Sequence, residues 1–138
     1  MFRRTQCQNA NMTKTIIQTE AAPAAIGAYS QAVKVDDTVY VSGQIPLDPV
    51  SMTLVGDEFM VQAHQVFKNL AAVADAAGGS LADAVKLTVY VTDLGNFQQL
   101  NEIMGEYCVE PYPARAAIQV SALPKGALVE IDAVLCLD

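Results

Sequence analysis

The pattern of apolar residues predicts an α+β domain: a single mixed β-sheet with two helices packed on one face. Three observations lead there. Six segments carry β-branched or alternating apolar residues, two carry apolar residues at helical spacing, and the segments run in the order β-β-β-α-β-α-β-β, with too few helices to cover both sides of a sheet. A length of 138 residues fits one domain, and a composition of 52% hydrophobic and 17% charged residues supplies a core.

The first strand is expected within Thr13 to Gln18, a short β-branched run. Gln31 to Val35 and Thr38 to Ser42 follow as a hairpin turned at Asp36-Asp37. Pro46, Asp48 and Pro49 mark a loop after Gly43. The spacing of Phe59, Ala63, Val66, Phe67, Leu70, Ala74 and Ala77 predicts a helix from about Asp57 to Ala77, stopped by Gly78-Gly79. Ser80 and Asp83 form a capping pair. Val85 to Val91 then alternates, with Val85, Leu87, Val89 and Val91 on one side. Asn96, with Gln99 at the reciprocal position, is expected to cap a second helix with the stripe Phe97, Leu100, Ile103, Met104 and Tyr107, and Pro111 and Pro113 end it. Ala114 to Ala122 and Leu128 to Leu137 complete the sheet through Leu123-Pro124-Lys125-Gly126.

Alternation assigns Val39, Val41, Val89, Ile118, Val120, Val129, Ile131 and Leu135 to the helix side. The opposite face receives Tyr40, Ser42, Thr88, Tyr90, Arg115, Ala117, Gln119, Glu130, Asp132 and Val134. Nothing in the chain remains to cover that mixture, so a homo-oligomer is expected to bury it. Arg115 and Glu130 stand out, read as lying on neighbouring strands. A guanidinium holds a substrate carboxylate through two hydrogen bonds, and a glutamate positions or deprotonates a water.

The net charge of -7 disfavours binding to a phosphate backbone. Cys7, Cys108 and Cys136 are odd in number and widely spaced, which argues against a disulfide framework or zinc site and for a cytoplasmic setting. Cys108 and Cys136 read as small packing residues, with Cys136 on the Glu130 face, and the single histidine, His64, as a solvated helix residue. No metal or organic cofactor is expected. Residues 1–11 lack the apolar middle of a signal peptide and read as a disordered extension before a single domain over 12–138.

Several short motifs occur together in order: Gly27-Ala28-Tyr29-Ser30-Gln31-Ala32, Val41-Ser42-Gly43-Gln44-Ile45-Pro46, Asn69, Val89-Tyr90-Val91-Thr92-Asp93-Leu94, Asn101-Glu102, Pro113-Ala114-Arg115, and Leu123-Pro124-Lys125-Gly126 leading to Glu130-Ile131-Asp132-Ala133. In these the chain, from Met12 to Asp138, resembles the RidA (YjgF) family of enamine/imine deaminases. The resemblance implies a homotrimer of chorismate-mutase-like subunits with active sites between them. It implies that Arg115 and the N–H of Ala117 bind a substrate carboxylate, and that Glu130 holds the attacking water. Tyr29, Ser42, Gly43 and Asn101 would complete the substrate site. Two positions depart from the family: Ala117 stands where cysteine is frequent, which keeps the backbone N–H and loses a thiol, and Ala28 stands where proline is common.

The implied reaction is hydrolysis of 2-aminoacrylate/2-iminopropanoate and 2-iminobutanoate to 2-keto acids and ammonia. A non-catalytic keto-acid-binding regulator would use Arg115 equally and would not need Glu130. A ribonuclease, a role also attached to the family, conflicts with the acidic charge and the lack of a basic, aromatic-lined groove. A chaperone-like role has no specific sequence feature.

Overall fold

The computed structural model describes residues 13–138, so the expected extension and Cys7 lie outside the described residues. The elements are β1 (Thr15–Ile17), β2 (Ala32–Val35), β3 (Thr38–Gln44), α1 (Phe59–Ala76), β4 (Ala84–Val91), α2 (Phe97–Tyr107), β5 (Ala114–Gln119) and β6 (Val129–Cys136). Their order is the expected one. The six strands form one sheet ordered β1-β2-β3-β6-β4-β5. All pairs are antiparallel except β4 with β5, the pair whose connection is long enough to carry α2.

Both helices lay their apolar stripes on one face. Val66, Phe67, Leu70 and Val73 of α1 and Leu100 and Ile103 of α2 are buried with Val39, Leu87, Val89, Val129, Ile131 and Leu135 of the sheet. Cys108 is buried with them, as expected of a small apolar side chain. No helix among the described residues is long and apolar enough to cross a membrane.

Three buried amides tie the loops to this core. Asn69 of α1 donates to the carbonyls of Ile45 (3.2 Å) and Leu47 (3.1 Å) and accepts from Gln65. Gln62 donates to the Gly56 carbonyl (2.7 Å) and accepts from the Leu128 N–H (2.8 Å). Gln31 donates to the carbonyls of Thr19, Ala22 and Pro23 and accepts from the Thr19 N–H. Each spans a segment whose backbone groups have no ladder to join, which is why buried polar side chains occur there.

The structure corrects several local expectations. The parallel register pairs Leu87 with Arg115 and Val89 with Ala117. Arg115, Ala117 and Gln119 therefore share the helix side with Leu87 and Val89, and Ile118, 45% exposed, faces the open side with Tyr90. The phase expected for β5 was inverted, because its two apolar residues that set the phase belong to the uncovered face and to the strand's end. Val120 follows β5, half-buried. Val85 is exposed because a register shift interrupts the β4–β6 ladder between Ala84 and Lys86. Asn96 makes no side-chain cap. A short 3-10 turn, Leu94–Asn96, precedes α2 and is capped by Asp93, which accepts from the Gly95 N–H. The Ser80–Asp83 capping box forms as expected. His64 is half-buried, its Nδ1 3.1 Å from the Tyr107 hydroxyl, while Tyr107 stacks on Phe67; Cys136 is exposed instead of packed.

Asn69→Ala removes the donors of two loop carbonyls at a fully buried position. It should cost about 1–3 kcal/mol, read as a lower urea midpoint with an unchanged slope at fixed protein concentration. An unchanged midpoint would show that the loop does not depend on this amide.

Candidate active site

Glu130 lies on β6 between Val129 and Ile131, both fully buried, so alternation sends its side chain to the open face opposite Tyr90. There it folds over β3. An ideal Cβ built on Gly43 would sit 2.1 Å from Oε2 of Glu130 and 2.9 Å from its carboxyl carbon, so the carboxylate occupies the space that any other residue at 43 would need. A register shift between Val41 and Gln44 allows this approach. Ser42 and Gly43 thus belong to a bulged strand, which runs on to Gln44, beyond its expected end at Ser42. The Ser42 N–H donates to the Gln31 carbonyl at 2.9 Å and its hydroxyl donates to the Ser30 carbonyl, so this side chain is engaged with the neighbouring backbone.

Tyr29 projects from the loop before β2 and is 51% exposed, its hydroxyl accepting from the Ile26 N–H at 3.1 Å. Ile26, Tyr29, Gly43, Ile45, Lys125 and Glu130 line a pocket of about 380 Å³. Lys125 holds a left-handed φ of 58° at its rim. Burial, and then the nearby charge of Asp132, raise the Glu130 carboxyl above its ordinary range.

Arg115 builds a second centre. Its guanidinium stacks over Phe97 (5.0 Å to the ring centroid), donates to Oδ1 of Asn101 and reaches Sδ of Met104 at 3.6 Å. Residues 97, 101 and 104 form one stripe of α2, so a single helix face orients the arginine. These three partners are uncharged and leave its charge for a ligand. Asn101, Met104, Gly105, Tyr112, Pro113 and Arg115 line another pocket of about 380 Å³. The Val120 N–H donates to the Val91 carbonyl, so alternation turns the N–H groups of Ala116 and Ile118 toward β4 and that of Ala117 toward the outer edge of the sheet.

The structure therefore brings Tyr29, Gly43 and Glu130 together with Ser42 alongside, and separately brings together Arg115, Asn101 and the Ala117 edge. It does not join the two groups. Strand β4 separates β6 from β5, and Arg115 and Glu130 face opposite sides of the sheet, so the expectation of neighbouring strands and a shared face is corrected. Sequence reasoning also missed Phe97 and Met104 as the arginine's platform. Their spacing with Asn101 was the available signal, and it read as core.

A family model described as Endoribonuclease L-PSP matches residues 19–136. The chain is 50% identical over 121 residues to the RutC family protein y4sK of Sinorhizobium fredii, covering 88% of this chain and 96% of that one. It is 47% identical over 124 residues to the 2-iminobutanoate/2-iminopropanoate deaminase of Homo sapiens, covering 90% of each. The crystal structure of RidA from the Antarctic bacterium Psychrobacter sp. superposes with a TM-score of 0.87 at 56% identity, covering 89% of this chain and 99% of that one. This chain belongs to the RidA family. The six-stranded mixed sheet and its two helices are the fold of that RidA structure.

Two stability predictions come from the Glu130 centre. A carboxyl that binds its proton more tightly when folded favours the fold while protonated, and that contribution is lost as pH rises through its raised folded-state value. Glu130→Gln should therefore raise Tm at neutral pH, with the gain disappearing below the ordinary carboxylate range. A gain that persists at low pH would point to packing instead of ionisation. Gly43→Ala should cost about 1–3 kcal/mol in the wild-type background and much less beside Glu130→Ala. Equal costs in both backgrounds would place the clash elsewhere.

Proposed function

We propose that this protein hydrolyses 2-imino acids, the tautomers of enamines such as 2-aminoacrylate, to 2-keto acids and ammonia. We propose further that it does so as a homotrimer with active sites between subunits. One observation carries the reading. A prepared carboxylate-binding cation, Arg115, and a prepared base, Glu130, occur in one small chain in pockets that share no residue. Such halves become one site when the Arg115 centre of one copy meets the Glu130 centre of another. The uncovered sheet face, with Tyr40 and Ile118 half exposed, supplies apolar surface for that assembly. The name of the human relative gives the substrate class.

In this mechanism the free N–H groups of Arg115 and the edge N–H of Ala117 hold the substrate carboxylate. Asn101, Phe97 and Met104 fix the guanidinium beforehand, so little order is lost on binding. Tyr29 packs on the substrate at the mouth of the Glu130 pocket, and the backbone at Ser42 and Gly43 lines its inner wall. C2 of the imine then lies near a water held by Glu130. The imine nitrogen takes a proton from solvent as the water oxygen bonds to C2, and Glu130 accepts a proton from that water. Glu130 then returns its proton to the nitrogen of the carbinolamine, the C2–N bond breaks to release ammonia, and the hydroxyl gives its proton back to solvent as the C2–O bond becomes a carbonyl. One water enters, and one keto acid and one ammonia leave. A carboxyl held above its ordinary range suits both transfers.

The keto-acid-binding regulator keeps the Arg115 centre and leaves the Glu130 centre without a task. A ribonuclease reading takes its support from the name of the matching family model, Endoribonuclease L-PSP, and the net charge of -7 stands against it.

Semicarbazide competes with water for the imine released by a serine or threonine dehydratase. Wild-type protein should lower semicarbazone formation, and Arg115→Ala should lose about 100-fold in rate while the oligomer persists in light scattering. Glu130→Gln should lose turnover and keep keto-acid binding by calorimetry. Mixed Arg115→Ala and Glu130→Gln subunits should recover about one quarter of the sites. No effect of wild type on the semicarbazone would remove the hydrolase reading, and no recovery in the mixture would remove the shared site.

A further inference from the structure

We propose that Asp132, held by Tyr90, is a positioning residue that keeps the Glu130 carboxylate from lying along β6 and directs it over Gly43 into its pocket. The inference rests on the hydrolase reading for its importance and on local geometry for its support. Asp132 lies two residues after Glu130 on β6, so both side chains leave the same face. Tyr90 of β4 stands directly opposite Glu130, and its hydroxyl donates to Oδ2 of Asp132 at 3.1 Å. That bond fixes the Asp132 carboxylate on the Tyr90 side of the ladder.

Glu130 then has two directions open to it. Along the strand it meets a fixed like charge. Toward β3 it meets Gly43, where the missing Cβ leaves room for its carboxyl oxygen. It takes the second. The other groups around it do not oppose this choice. Tyr90 is engaged with Asp132, the Ser42 hydroxyl is turned to the Ser30 carbonyl, and Tyr29 and Lys125 line the pocket that Glu130 enters. Proton binding follows the same geometry: after burial, Asp132 is the charge that raises Glu130, while partial burial, and then Asp132 and Glu130, raise the Tyr90 hydroxyl.

Asp132→Asn keeps the side-chain shape and an acceptor for Tyr90 and removes only the charge. Its acid limb in the pH dependence of kcat/KM should move to lower pH, with kcat reduced and KM little changed. Tyr90→Phe, which frees Asp132, should move the limb in the same direction and stands in if the first variant does not fold. A carboxyl-carbon NMR titration of Glu130 in wild type and variant reads the same shift without turnover. An unmoved limb, or an unmoved titration, in a folded variant overturns the proposal. A wild type that titrates as expected but does not hydrolyse imines refutes the hydrolase reading and leaves the Asp132 inference standing.

Discussion

Two helices cover one face of this sheet and leave the other bare, and the distribution of every functional group depends on that one-sided cover. A strand that must bury alternate residues under α1 and α2 has no choice about the rest. Because Val129, Ile131 and Leu135 are fully buried, Glu130, Asp132 and Val134 are delivered to the open side. Strand β5 is the exception: none of its side chains is fully buried, and its register with Leu87 and Val89 turns Arg115 to the α2 side. The core thus places the acid and the cation on different faces. Convergence within one chain is geometrically closed, while the bare face, where Tyr40 and Ile118 remain about half exposed and each offers roughly 1 kcal/mol on further burial, fits the second copy proposed above.

The features legible in the sequence are those that repeat. Alternation in β3, β4 and β6 and the stripes of α1 and α2 each rest on several agreeing residues, so the element order could be read without contacts. Strand β5 is Ala-Arg-Ala-Ala-Ile-Gln, and one large apolar residue does not fix a phase. Its parallel register with β4 decides, and register is not local information. The insertion of β6 between β3 and β4 is similarly invisible, because nothing near Val129 names its neighbours. At the site, motif matching singled out Arg115 and Glu130. It could not show that Phe97 and Met104 serve the core and the arginine together, nor that Gly43 is defined by a carboxylate 87 positions later in the chain.

The two centres are prepared in different ways, and the difference suits the tasks proposed for them. A group that anchors a carboxylate must stay charged, and arginine does so wherever it is placed. What it needs is direction, and α2 supplies this with a ring, an amide and a thioether, none of which neutralises it. A group that takes and returns a proton must not be held firmly in either state. Glu130 is moved toward that condition by burial against Gly43 and by the carboxylate of Asp132. Its half-buried charge weakens the fold at neutral pH, and the buried amides Asn69, Gln62 and Gln31 hold the surrounding loops against that loss. Each half is thereby ordered within the single chain. In the proposed shared site, docking would join two prepared pieces, which would keep the entropic cost of completing the site within each chain's own folding instead of adding it to substrate binding.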